Sequence, residues 1–321
     1  MLELGTTAVL AGRLLGSAIA CGLNLYATIV LVGLASRFDF IETLPPGLTG
    51  LESWVVIAGA LALFAVEFVA AAIPWIDSAW EGVHTLIRPL AAAALAGIAL
   101  EAAPLAFQFG GAAAAGIAAF ASHTAKIGLR LVITTRRWMR VAVSSLEDLA
   151  AASLALAALA FPVAALASVA LFLALLATAG PALWRATAFA ARALVARFRG
   201  FFGARGWTEA AAMPAAFHPL LDPPEMGPSP PRALRAALSG RVGVYRNGWL
   251  VFDRGTALFL YRRFGRPSRI ALPRPTRIDV RRGFLSDAVA IRGGDSRFTL
   301  HLLKDGPPAE LAIGALQLVI D

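Results

Sequence analysis

From Leu149 to Leu183 the chain runs 35 residues without a charged side chain. As one helix this run would extend about 52 Å at 1.5 Å per residue, against a bilayer hydrocarbon core of about 30 Å. Phe161-Pro162 lies near its centre, and proline removes a backbone donor and restricts the residue before it. The run therefore reads as a hairpin of two membrane helices, short or re-entrant. Four other apolar stretches precede it. Leu14 to Ser36 reads as a first span, with Gly22 and Asn24 marking either a helix break or a tolerated glycine beside an interhelical bond. Trp54 to Ile73 reads as a second span, anchored by Trp54 at an interface. Pro89 to Ala103 and the Gly/Ala-rich Leu105 to Ser122 read as a tight pair of short helices. The expected architecture is an α-helical polytopic membrane domain of about six segments.

Composition agrees. Hydrophobic residues make up 58% of the 321, too many for one soluble globule. Charge is uneven. Residues 1–231 hold 13 Lys and Arg against 13 Asp and Glu; residues 232–321 hold 16 against 7, so the whole excess of +9 lies there. Beside a membrane, such a basic segment points to anionic lipid headgroups rather than nucleic acid. The lone Cys21 excludes an internal disulfide. Arg13 followed by LLGSAIAC resembles a lipoprotein signal, but the apolar run continues past Cys21 to Ala35, so lipidation is not expected.

The positive-inside rule orders the segments. With a hairpin over 149–183, the stretches holding Arg88, Lys126 to Arg140 and Arg185 to Arg205 share one side. Loops near Pro45, Glu101 and Pro162 then lie outside, and both termini are expected in the cytoplasm of a bacterial inner membrane. Ser144-Ser145-Leu146-Glu147 has the capping-box pattern and is expected to start a helix.

Four regions follow: a membrane domain over 1–184, a basic amphipathic helix over 185–205, a Pro-rich linker over 206–231, and a basic β-rich domain over 232–321. In the last, Asn247-Gly248 between RVGVYR and WLVFD reads as a two-residue hairpin turn. Strand-like runs follow at 256–263, 268–272, 276–281, 287–292 and 296–303, and a helical pattern closes the chain from Pro308. This order of strands and terminal helix resembles a pleckstrin-homology-like barrel, small and closed by its helix.

The polar residues of the membrane domain are its most informative feature. Asp77, Glu81, His84 and Arg88 fall at i, i+4, i+7 and i+11, one face of a helix. Glu67 lies inside the preceding apolar run. His123, Lys126 and Arg130 follow, then Glu147 and Asp148. Ionisable groups at membrane depth are costly and are paired or functional. These residues, with Asn24, form the candidate substrate or ion site. Asp77, Glu81, His84 and His123 are also possible metal ligands, against a reading as an interfacial helix paired with Arg88, Lys126 or Arg130. Capping explains Glu147 and Asp148 more simply. Glu67 is either a proton or cation site or a structural lock. It is expected to converge with His84, Arg88, Arg130 and Glu147.

GLNLYAT (22–28), LPPGL (44–48), the EF…IPWIDSAWEGVHTLIRP run (67–89), SHTAKIGLRLVI (122–133) and SSLEDL (144–149) together resemble a bacterial integral-membrane family, domain of unknown function four-one-two-six. The resemblance covers residues 13 to about 185. It implies membrane location and no reaction. The family commonly carries Asp-Lys where this chain has Ala71-Ala72. No nucleophile elbow or phosphate loop occurs, so no enzyme activity and no cofactor are expected. Two functions stay open: a small transporter or channel with a cytoplasmic lipid- or partner-binding domain, and a non-transporting scaffold whose C-terminal domain binds anionic lipid or a protein. A homo-oligomer is compatible with either.

Overall fold

A computed structural model describes residues 2–41, 44–133, 137–203, 206–221, 231–253, 256–294 and 296–317. The chain divides into two units, Met1–Trp184 and Arg185–Asp321. The first contains α1 (Leu2–Leu23), α2 (Leu25–Arg37), α3 (Trp54–Ala72), α4 (Pro74–Ala99), α5 (Leu105–Ile133), α6 (Arg137–Ala160) and the first half of α7 (Pro162–Phe201). Among the described residues, six of these, all but α2, are long and apolar enough to cross a membrane. Their outward faces carry large apolar side chains such as Val55, Val69 and Leu171, each more than 60% exposed. Their inward faces carry alanine: Ala119, Ala151, Ala155, Ala158 and Ala165 are fully buried. This is the pattern of a helical membrane domain, where lipid solvates the large residues and small ones let helices approach.

The stretch from Leu14 to Ser36 is not one span. α1 ends at Leu23, and Asn24 adopts an extended conformation whose side chain accepts the Ala27 N–H to cap α2. The two helices then fold back on each other. Leu10, Leu14 and Cys21 of α1 face Thr28 and Val32 of α2 across a cavity that also meets Pro45 and Leu100. They form a re-entrant pair whose tip is Gly22-Leu23-Asn24. Gly33 of α2 lies against Leu51 and Ile57, and the Gly47 N–H donates to the Glu101 carboxylate at 2.9 Å. The legs therefore open toward the end that holds Pro45 and Glu101.

The later segments differ in extent from the sequence reading. Asp77 to Arg88 and the run after Pro89 are one helix, α4, with Pro89 inside it. α5 continues past Ser122 to Ile133. α6 begins at Arg137, so Ser144 lies within the helix and caps nothing. The chain does reverse at Phe161-Pro162. A Cβ on Gly16 would meet Ala158 Cβ at 2.9 Å and Ala165 Cβ at 3.3 Å. A straight helix would hold those two alanines about 10 Å apart. α7 then returns to α5, where Leu183 packs on Gly128. It is not short: it continues to Phe201 with Pro181 inside.

Helices α1, α3, α5 and α7 thus run away from the Pro45–Glu101 end, and α2, α4 and α6 run toward it. Placing both termini on one face assumed a single span from 14 to 36, and the break at Asn24 removes that premise. α1 starts at the Pro45–Glu101 end, and α7 leaves this unit at the other.

The second unit is an antiparallel sheet with helices on it. Its strands are β1 (Thr208–Glu209), β2 (Arg232–Gly240), β3 (Gly243–Asp253), β4 (Thr256–Arg263), β5 (Arg266–Ala271), β6 (Arg277–Arg281), β7 (Ser286–Gly293) and β8 (Ser296–Leu303), followed by α8 (Ala309–Gln317). The order is β5-β4-β3-β2-β8-β7-β6, with β1 added on β2. No pairing joins β5 to β6 among the described residues, so backbone hydrogen bonds do not close this sheet into a barrel. One face packs Leu250, Phe259, Ile291 and Leu300 against Ala312 and Leu316 of α8.

Asn247-Gly248 is not a turn. Both lie inside β3, paired with Ala237 and Ala236. The chain turns instead between Gly240 and Gly243, whose φ angles of 145° and 106° suit glycine. Gly248 is needed for space: a Cβ there would lie 2.1 Å from the Leu260 carbonyl oxygen. Nor are residues 206–221 a free linker. Met213 and Phe217 are buried against Trp249, Val251 and Leu260; Asp222 to Pro230 lie outside the described residues. The stretch expected as an amphipathic helix from 185 is the second half of α7, and its apolar face, Phe189 and Ala193, packs on Ala237.

His301 lies beneath that helix, with Tyr245 and Phe189 ring centroids at 4.5 and 5.5 Å. Burial pushes its pKa down from 6.5 to about 4. Unfolded chain takes up the proton near pH 6.5 and the folded unit does not, so folding stability is full above that pH and falls as pH drops toward 4. Limited proteolysis of the full chain should show the second unit losing protection across this window. His301→Phe should remove the dependence.

Candidate functional site

Backbone at the tip of the re-entrant pair dictates the site. Where α1 stops, the carbonyls of Gly22 and Leu23 have no helical partner, and in a membrane an unsatisfied carbonyl costs several kcal/mol. Two cations supply the donors. Arg88 Nη1 donates to Gly22 O at 3.0 Å and Leu23 O at 2.9 Å, and Lys126 Nζ donates to Leu23 O at 2.9 Å. The negative end of the α1 dipole favours positive charge at the same place. Gly22 is glycine because α5 crosses there: a Cβ would lie 1.9 Å from Ser122 Oγ.

Buried cations need anions. Arg88 is fully buried and Lys126 is 2% exposed. Glu67 Oε1 accepts from Arg88 at 2.6 Å and from Lys126 at 3.1 Å. Glu81 pairs with Lys126 at 3.1 Å and with Arg130 at 3.2 Å. Arg130 also binds Glu147 at 2.6 Å and Asp77 at 3.1 Å. The result is a chain of alternating charge across α3, α4, α5 and α6. Its members that are at least nine-tenths buried on α3 to α5 are Glu67 and Glu81 against Arg88 and Lys126, two of each sign.

Hydrogen bonding fixes both histidines. Arg88 has only donors, so His123 Nδ1 accepts from it at 3.1 Å. His123 Nε2 therefore carries the proton and faces Thr85 Oγ1 at 3.1 Å. His84 Nδ1 donates to the Trp80 carbonyl at 2.7 Å, and its Nε2 shares a hydrogen bond with the Tyr26 hydroxyl at 2.7 Å. With Nδ1 accepting from Arg88, the His123 ring is neutral in this arrangement. Asn24 caps α2 with its oxygen and donates its amide to Asp148 at 2.8 Å.

All eleven residues singled out in the sequence meet here: Asn24, Glu67, Asp77, Glu81, His84, Arg88, His123, Lys126, Arg130, Glu147 and Asp148. Their roles differ from some expectations. Glu147 binds Arg130 rather than capping a helix. His84 bonds Tyr26 and Trp80, and among the described residues no group of three His, Cys, Asp or Glu is placed to hold a metal. The side chains of Arg137 and Arg140, and all of Arg136, lie outside the described residues. Tyr26, Thr85 and the Gly22 and Leu23 carbonyls were missed. Thr85 stands four residues after Glu81 and Tyr26 two after Asn24, so helical spacing pointed to the first and the break to the second.

Several buried polar atoms have no hydrogen-bond partner among the described residues, including Glu67 Oε2, Arg88 Nε and Glu81 Oε2, the last of which lies 3.8 Å from Arg88 Nη1. Each carboxylate thus has one oxygen shared between cations and one without a donor.

A family model described as "Domain of unknown function (DUF4126)" matches residues 12–181. No curated protein and no solved structure matches the chain.

Removing one member of a buried pair costs about 3–5 kcal/mol when its partner is left charged. Arg88→Met should therefore lower the melting temperature in detergent sharply, because it takes the donor from the Gly22 carbonyl and leaves Glu67 Oε1 and the Leu23 carbonyl to Lys126 alone. Lys126→Met should cost less, since Arg88 still reaches Leu23 and Glu67. Equal, small effects of the two variants would show that the tip does not depend on Arg88.

Proposed function

The chain belongs to the DUF4126 family of membrane proteins, and since that family carries no assigned reaction, we propose from the geometry of the site that it is a small proton- or cation-coupled transporter. The observation that carries this reading is the broken helix. A scaffold satisfies its backbone with unbroken helices; this unit instead stops α1 inside the bundle and spends two buried cations on its carbonyls. Discontinuous helices with charged groups at their ends are the devices by which transporters bind ions and change conformation.

Glu67 is the coupling group. Its Oε1 holds Arg88 and Lys126, and its Oε2 is buried without a donor. A proton on Oε2 removes the charge that both cations answer. Arg88 and Lys126 then bind the Gly22 and Leu23 carbonyls and Glu81 alone, and the tip is freer to move. Entry and loss of one proton thereby become linked to the position of the re-entrant pair. The basic end of the bundle, with Arg130 and the start of α6, is placed in the cytoplasm by the positive-inside rule. The beginning of α1 then faces the other side. The basic second unit, with its pleckstrin-homology-like order of elements, is assigned to anionic headgroups on the cytoplasmic face.

The density of ion pairs supports a second reading, a scaffold locked by its polar core. One variant separates the two. Glu67→Gln in proteoliposomes should abolish proton or cation flux while the protein remains monodisperse. If the role is structural, it lowers the melting temperature and changes no flux.

Topology is tested apart from function. Gly5→Cys and Gly50→Cys should label from outside intact cells, and Ser229→Cys only after permeabilisation. Protection of Gly5→Cys alongside Ser229→Cys would return the N-terminus to the cytoplasmic face.

A further inference from the structure

The re-entrant pair encloses a cavity of about 200 Å³ between α1, α2 and α4. An apolar cavity of about 150 Å³ is already large enough to stay dry and take up benzene. On α1 the lining runs from Leu10 to Cys21, about 16 Å at 1.5 Å per residue. The space is therefore long and narrow. Its walls are mostly aliphatic, with Leu14, Val32, Leu95 and Leu159 among them; Arg13 and Ser17 of α1 add polar groups on one side, and no aromatic ring contributes. Its floor is closed by Cys21 and Thr28, 2% and 3% exposed, and the Thr28 hydroxyl is already committed to the Asn24 carbonyl. An elongated aliphatic tunnel with no free donor at its closed end suits a flexible hydrocarbon chain, not a planar or polar ligand.

We propose that this cavity holds a single acyl chain, inserted methyl end first toward Cys21. The surrounding membrane supplies such chains at high local concentration. Leaving the space empty would forfeit dispersion contacts along every wall. A chain in place fills the gap between the legs of the pair one turn from the tip that Arg88 holds. The carrier of the chain is either a two-chain phospholipid or a free fatty acid, and the chemistry of the bound part is the same. The assignment does not rest on transport.

The full-length protein is reconstituted in phosphatidylcholine–phosphatidylglycerol vesicles with a trace of probe carrying a diazirine in mid-chain. One arm uses a phospholipid probe and the other a free fatty acid. After irradiation, adducts are mapped by mass spectrometry. The expected result is adducts on the segments Cys21–Val32 and Ala92–Leu100, in the arm that identifies the carrier. Val32→Trp and the milder Ala96→Leu fill the cavity and should remove those adducts. Adducts at lipid-facing Val69 and Leu171 should persist, and size-exclusion profiles confirm folding. Ala96→Leu alone decides the matter if Val32→Trp does not fold. Adducts confined to outward residues in both arms, or unchanged in the filled variants, would overturn the proposal.

Discussion

The membrane unit depends on donors for two carbonyls. Ending a helix in the bundle interior leaves Gly22 O and Leu23 O without partners, and hydrocarbon supplies none. Arg88 and Lys126 answer them, which brings two positive charges into the interior. Those charges require Glu67 and Glu81, and Glu81 in turn shares Arg130 with Glu147. Each requirement recruits the next, so one backbone break fixes side chains on α3, α4, α5 and α6.

Close packing makes that convergence possible. A Cβ on Gly22 would collide with Ser122, one on Gly12 with the Pro162 carbonyl, and one on Gly128 with the Leu183 backbone. These three glycines sit where helices cross, and the alanine faces between them have no rotamer freedom to lose. The core of this unit is held by backbone proximity and charge, with large side chains turned outward to lipid. The second unit uses the opposite scheme, burying Phe259, Leu250 and Leu300 in a conventional apolar core.

The candidate site was legible because polar residues stand out against an apolar chain. The four-residue face on α4 follows directly from 3.6-residue periodicity, and burial cost predicts that Glu67 has cationic partners. Helix limits were less legible. Pro74, Pro162 and Pro181 look alike in sequence, yet the first two begin helices and the third lies within one. A proline one turn into a helix removes a donor that was not in use; one in mid-helix costs a bond that neighbours compensate. Nothing local distinguishes these outcomes. The Asn247-Gly248 reading failed for a related reason. Glycine there serves close contact with Leu260 rather than a positive φ, and a dipeptide signal does not separate the two uses.

The break at Asn24 bears on how the protein is made. A chain is synthesised from its N-terminus at about 5–20 residues per second. The donors for the tip are 66 and 103 residues downstream of their acceptors. For on the order of 5–20 s at that pace, the first helix has a polar end with nothing in its own sequence to bind. Its first donor arrives with Arg88 on α4, and Lys126 completes the tip when α5 follows. The end of the first helix is thus finished by residues made well after it, and the order of synthesis runs opposite to the order in which its backbone is satisfied.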